Sequence, residues 1–254
     1  MYGIIIGAGR GRRLMPLTED DPKCFAVIGG RRILDWALEA FRHGGIERLA
    51  FVGGYRIDRV QAEYPHLRYF HNDAWERNNI LASLFYAEPA MEDGFVCSYA
   101  DILYRPSIVR RLLDSPADIA LAVDTAWRER YTTRTQHPEH DAEKVVTDGG
   151  RLFEIGRHIR SEEAHGEYIG VARFTPAGAR LFRSYFHRAK ETYAEGTFRS
   201  AVSFQKAYLI ELFQEMLEDE VLIDIVPTEG DYMEIDTTED YHLAQQTWRT
   251  DSTR

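Results

Sequence analysis

The stretch Gly7-Ala8-Gly9-Arg10-Gly11-Arg12-Arg13 follows directly on a short apolar run, Gly3 to Ile6. Glycines at the end of a first strand let backbone amides come close to an anion. Pro16, Thr18, Pro22 and Lys23 come next. A glycine loop with one arginine inside it and a lysine beyond suits a triphosphate, whose charge needs fixed cations and amide donors. Gly7, Ala8, Gly9 and Gly11 are thus candidate amide donors, and Arg13 and Lys23 candidate cations. An exposed basic turn would have the same composition. Two better-known loops are excluded. A dinucleotide fingerprint would need glycine at position 12, which is arginine, and no GK[ST] follows to make a Walker loop.

Acidic residues form the second candidate group. Asp101 ends an apolar run, Gly94 to Ala100, and Glu234-Ile235-Asp236 ends a later one. Side chains alternate along a strand, so Glu234 and Asp236 share a side. Magnesium takes a few carboxylates together with phosphate oxygens and water. Asp101 and Asp236 can form such a clamp, with Glu234 as a third ligand or an outer partner. Asp236-Thr237-Thr238-Glu239 reads equally as a helix start. Glycosyltransferase chemistry would call for a DxD motif, whereas residues 101 to 103 are Asp-Ile-Leu. No HExxH, GxSxG or CxxC occurs, which disfavours zinc, a serine nucleophile and a dithiol. Cys24 reads as a packing residue.

The elements that must carry these residues alternate. Strands are expected at Gly3 to Ile6, Leu49 to Val52, Gly94 to Ala100 and Ile119 to Val123. Between them, Ile33 to Phe41, Ile80 to Ala87 and Ile108 to Leu113 carry apolar residues at helical spacing. Gly44-Gly45 stops the first helix. That alternation implies a mostly parallel sheet with helices on both faces. Trp127 to Asp141 is polar without a period and reads as a long loop or lid. Strands are expected again at Lys144 to Thr147, Leu152 to Ile155 and Tyr168 to Phe174, the first pair turning at Asp148-Gly149-Gly150. Helices at Pro176 to Ala194 and Phe204 to Leu217, strands at Val221 to Val226 and Tyr232 to Ile235, and a helix at Thr237 to Trp248 complete the chain.

Composition sets the outer bounds. The chain has 254 residues, with 31 Lys+Arg against 41 Asp+Glu and a formal charge of −10. An acidic balance argues against nucleic acid as a partner. No apolar run approaches the ~20 residues of a membrane span, so no membrane partner is expected. Two cysteines make no disulfide framework, and the first residues lack the basic region of a leader, so a cytoplasmic location is expected.

The run GAGRGRRLMPLTEDDPK resembles the GxGxR, PxT, PK signature of the nucleoside triphosphate transferases that activate sugar phosphates and phosphocholine. The resemblance implies that Gly9 and Gly11 hold the nucleotide, that Arg13 contacts departing pyrophosphate and that Lys23 contacts phosphate. It implies magnesium on an aspartate near residue one hundred and another near the end, here Asp101 and Asp236. Two further blocks resemble the phosphocholine and phosphonate cytidylyltransferase branch: Asn78-Asn79-Ile80 with Ser83-Leu84, and Gly166-Glu167-Tyr168-Ile169-Gly170. They put Asn79, Ser83 and Ala100 on the nucleotide side and Asn78 on the acceptor side, although Asn78 serves equally as a helix cap.

Trp127, Tyr131, Tyr168 and Glu167 are available to an ammonium group. Arg157, Arg160 or Lys144 is available to the acceptor's phosphate. The expected fold is one Rossmann-like (GT-A-like) domain over 1–254 with an inserted β-rich acceptor region. Its nucleotide half spans about 1–125, its acceptor half about 126–235, and a C-terminal helix 236–254. The expected reaction is magnesium-dependent transfer of CMP from CTP to phosphocholine or a 2-aminoethylphosphonate-like acceptor. The alternatives are a sugar-1-phosphate nucleotidyltransferase using another NTP and a non-catalytic nucleotide-binding module. A homodimer is compatible with all of these.

Overall fold

The computed structural model describes residues 1–132 and 134–248. Its elements run β1 (Tyr2–Gly7), a hairpin of β2 (Val27–Ile28) and β3 (Arg31–Arg32), α1 (Ile33–His43), β4 (Leu49–Gly53), α2 (Ile57–Glu63) and β5 (Arg68–His71). Then come α3 (Ile80–Leu84), β6 (Phe95–Tyr99), β7 (Ile102–Tyr104), α4 (Pro106–Asp114), β8 (Ile119–Asp124) and α5 (Trp127–Tyr131). The rest comprises β9 (Lys144–Asp148), β10 (Arg151–Gly156), β11 (Gly166–Phe174), α6 (Pro176–Thr192), α7 (Leu209–Glu218), β12 (Asp224–Thr228), β13 (Tyr232–Glu234) and α8 (Thr238–Thr247).

A nine-stranded sheet, ordered β5-β4-β1-β6-β11-β8-β12-β10-β9, runs through the molecule. It is a mixed α/β sheet flanked by helices. Its first part, β5-β4-β1-β6, is parallel throughout. From β11 onward antiparallel pairs dominate, and β8–β12 is the parallel exception. Strand β1 shows why the centre holds. Ile4 and Ile6 pack into one hydrophobic cluster and Ile5 into the cluster on the opposite face. A central parallel strand buried on both faces reads as an unbroken apolar run, as Gly3 to Ile6 does.

Several boundaries differ from the sequence reading. Trp127 to Asp141 is not a free lid: Trp127 opens α5 and is buried in a small cluster with Tyr131 and Ala142. Phe204 to Leu217 is not one helix. A single 3-10 turn at Phe204–Lys206 precedes α7, which starts after Tyr208, where the Glu211 carboxylate accepts from the Tyr208 amide at 2.7 Å. The strand expected from Val221 begins later, at Asp224, because Val221 still bonds back to the end of α7. Sequence reasoning passed over α2, β5 and β7, each too short to show a period. Among the described residues no helix is long and apolar enough to cross a membrane.

The short β7 matters most. It pairs antiparallel with β13, with Ile102 opposite Glu234. The Ile235 amide also donates to the Asp101 carbonyl at 2.9 Å. This two-stranded ladder joins positions more than a hundred residues apart in sequence and brings Asp101 alongside Glu234 and Asp236.

Candidate active site

Strand β1 ends at Gly7, and the loop after it turns through Gly11 with φ 68° and ψ 48°. That left-handed conformation favours glycine. A Cβ at Gly11 would also stand 2.8 Å from the Lys23 side chain, so the residue type is fixed twice over. Buried Thr18 donates its hydroxyl to the Gly11 carbonyl at 2.9 Å and holds the turn from behind. The loop opens on a cavity of about 600 Å³. Gly7, Ala8, Gly9, Gly11, Arg13 and Lys23 line it at one end, joined by Asn79, Ser83 and Ala100.

Charges converge beside the loop. Lys23 Nζ donates to Asp101 Oδ2 at 2.8 Å and to Asp236 Oδ1. The Arg13 guanidinium donates to the other oxygen of Asp236 and faces Asp141 at 3.6 Å. Burial alone would lower the Lys23 pKa, but the carboxylates of Asp101 and Asp236 overcome it and hold the amine above its ordinary value. Burial likewise works against the Asp236 carboxylate, and Lys23 and Arg13 still hold its pKa below the usual range. Glu234 goes the other way. Burial first, then the charges of Asp236 and Asp101, push its carboxyl well above the ordinary range. Lys23 and Arg13 pair with Asp101 and Asp236, and neither pairs with the Glu234 side chain. Cys24 beside this cluster is buried, and its thiol is pushed up to about 12 by burial.

An amide network forms the adjoining wall. Buried Asn72 donates to Asn78 Oδ1 at 2.8 Å and to Ser83 Oγ at 2.9 Å. Asn78 donates back to Asn72 Oδ1 at 3.0 Å. Asn79, not Asn78, occupies the position before α3, and it ties that helix to the Lys206 carbonyl at 3.1 Å. Asn78 lines the cavity.

The far end of the cavity differs from the sequence reading in several residues. Trp127 is not among the lining residues, since α5 places its ring in the small cluster behind. Lys144 is buried away from the cavity, its Nζ 3.5 Å from the Glu139 carbonyl. Its neighbour Glu143 lines the cavity instead. Glu167 lines it too, but Arg130 pairs with this carboxylate and Tyr131 donates to it at 2.7 Å. Tyr131 and Glu167 are thus committed to each other. Arg160 pairs with Glu163 on the surface, outside the site.

Arg157 does line the cavity. Its guanidinium lies over the Tyr208 ring at 3.9 Å and reaches Glu143 Oε1 at 3.4 Å. Tyr99 donates to Glu143 Oε2 at 3.2 Å. Burial pushes the Glu143 carboxyl up to about 7 against the opposing charge of Arg157. Tyr168 is buried with its hydroxyl lacking a hydrogen-bond partner among the described residues. The last glycine of the Gly166–Gly170 block has a packing reason. At φ 80° it sits in the bulge of β11, against the Tyr99 ring where a Cβ would clash.

Glu143, Tyr99, Tyr208 and His137 escaped the sequence reading. For Glu143 a signal existed: residues before and after a strand start face opposite ways, so choosing Lys144 excluded its neighbour. For the others no local signal was present.

Residues 3–167 match the family model of the MobA-like NTP transferase domain. The chain belongs to this family. CTP:phosphoglutamine cytidylyltransferase of Campylobacter jejuni is 29% identical over 253 residues, 96% of this chain and 98% of that protein. 2-Aminoethylphosphonate cytidylyltransferase of Lancefieldella rimae is 26% identical over 203 residues, 77% of this chain and 76% of its own. The solved inositol-1-phosphate CTP transferase of T. maritima shares the fold, with a TM-score of 0.72 at 22% identity over 96% of this chain and 95% of that one. As a MobA-like NTP transferase, the chain is a nucleotidyltransferase enzyme.

Proposed function

We propose that this enzyme is a magnesium-dependent cytidylyltransferase. It moves CMP from CTP to a phosphate or phosphonate oxygen of a small amine-bearing acceptor and releases pyrophosphate. The observation that carries this reading is the knot of Lys23 and Arg13 on Asp101 and Asp236, set at the mouth of the glycine loop.

The donor chemistry fits magnesium: Asp101, Asp236 and Glu234 offer hard carboxylate oxygens around one end of the cavity. Bound by Asp101 and Asp236, the ion would offset charge on the α-phosphate and the attacking oxygen. With the acids so engaged, Lys23 and Arg13 are released to phosphate oxygens. Lys23 sits deepest and meets the charge that builds at the α-phosphate in the transition state. Arg13 is half exposed, at the cavity mouth, and pairs with the departing pyrophosphate. The backbone amides after Gly7 hold the triphosphate in line. The acceptor needs no strong base, because a phosphate ester loses its second proton at a pKa of ~6. Catalysis is then positioning and charge neutralisation.

At the other end, Arg157 suits an anionic group and Glu143 an ammonium. The relatives' names, phosphoglutamine and 2-aminoethylphosphonate cytidylyltransferase, join a phosphoryl or phosphonyl group to an amine-bearing body, which favours this reading. Pyrophosphate release with magnesium, each of four NTPs and a panel of phosphoglutamine, 2-aminoethylphosphonate, phosphocholine and sugar 1-phosphates tests it. Release with CTP and one amine-bearing acceptor is expected. Release only with a sugar 1-phosphate would replace the acceptor assignment. Tight nucleotide binding without release in any pair would leave a regulatory module.

A further inference from the structure

We infer that His137, together with Glu234 and Asp236, forms a divalent-cation position with an imidazole ligand, selective for manganese-like ions over magnesium. The inference extends the proposed metal clamp, with which it shares Glu234 and Asp236, but it does not depend on the transfer reaction. One ligand atom from each of the three residues lies within 4.8 Å of the others. His137 comes from the polar segment before β9, for which the sequence offered no role. It is 3% exposed and lines the cavity at the acidic cluster.

The imidazole is oriented from behind. Its Nδ1 has no hydrogen-bond partner among the described residues and faces Asp240 Oδ2 at 3.6 Å. Asp240 is fully buried and fixed by the Asp236 amide at 3.1 Å, the Thr237 amide at 2.9 Å and Arg134 Nε at 2.9 Å. A carboxylate behind one ring nitrogen, with the other nitrogen turned to the acidic cluster, is the placement common for a metal-binding histidine. Here the other nitrogen, Nε2, faces Glu234 Oε2 at 3.5 Å. A cation placed between the two would bond to both. Magnesium prefers an all-oxygen shell, whereas manganese, cobalt and zinc accept imidazole.

The test uses the full chain without nucleotide. Mn2+ is titrated and its binding followed by electron paramagnetic resonance, with electron spin-echo modulation reading any 14N bonded to the ion. Wild-type protein is expected to show 14N modulation and to bind Mn2+ about tenfold or more tighter than Mg2+ in competition. In His137→Gln the modulation disappears and Mn2+ affinity drops about tenfold or more. Absence of 14N modulation in the wild type would overturn the inference and leave His137 as a packing residue between Glu234 and Asp240. Unchanged Mn2+ affinity in a folded His137→Gln would overturn it as well. The wild-type spectrum decides even if the variant fails to fold. Modulation without CTP-dependent pyrophosphate release would sink the proposed reaction and keep this site.

Discussion

The two ends of the cavity are built on different plans. At the nucleotide end the glycine turn and its cations arrive close together in sequence, from Gly7 to Lys23, and Asn79, Ser83, Asp101 and Asp236 are brought to them. At the acceptor end they come from five separate places, Tyr99 at the end of β6, Glu143 before β9, Arg157 after β10, Tyr168 on β11 and Tyr208 before α7. The antiparallel strands gather them. A contiguous loop moves as a unit and suits a ligand part common to many reactions. A wall assembled from separate turns can change one residue at a time, which suits the part that varies. The nucleotide end should therefore govern whether the reaction runs, and the acceptor end what it runs on.

The sharpest way to break that division is at the nucleotide end. Asp101→Ala is expected to lower kcat by about 10²–10³-fold or more, the scale of losing a main transition-state contact. Its Tm should stay within about 4 °C of wild type, the shift ~1 kcal/mol gives in a chain this long. Near-normal turnover would remove Asp101 from the clamp. Lys23→Ala should lower kcat by a similar factor, with the acceptor's KM little changed; a comparable rise in the acceptor's KM would blur the two ends into one.

At the acceptor end the effects should be smaller and sit in KM. Glu143→Gln is expected to raise the acceptor's KM by roughly ten- to a hundredfold, as for a lost charged hydrogen bond, and to leave the KM for CTP unchanged. This residue also carries a pH signature. Its carboxyl is pushed up to about 7 in the folded protein, above the ~4.3 of an unfolded glutamate. The folded state then holds a proton that the unfolded chain has lost, so the residue costs stability as pH rises from ~4.3, and the full cost stands above about 7. Glu143→Gln should raise Tm more at pH 8 than at pH 5. Equal shifts at both values would show that its charge is not confined. The smallest effect is expected at Arg160→Ala, whose side chain meets only surface acids. Measurable loss of acceptor affinity there would redraw the boundary of the site.

What could be read from the sequence follows the same line. The loop from Gly7 to Lys23 was legible because its chemistry lies in one run and the glycines have a local backbone reason. Asp101 and Asp236 were legible as carboxylates at strand ends, although the β7–β13 ladder that joins them was too short to show in a pattern. The acceptor wall was not. Trp127 and Lys144 have the right chemistry for it but lie behind it, one in a cluster and one turned inward by strand alternation. Glu167 has the right place, but Arg130 takes up its charge. Tyr99, Glu143 and Tyr208 meet only through tertiary packing, and no window of sequence contains more than one of them.

The β7–β13 ladder also has a bearing on how the protein is made. The loop that receives the triphosphate leaves the ribosome early, while Asp236 leaves after nearly all of the sheet has been synthesised. A nascent chain can thus shape its anion-binding turn long before it owns the acid that closes the clamp. A product released short of residue 236 would keep the turn after β1 but lack Asp236 and its pairs with Lys23 and Arg13.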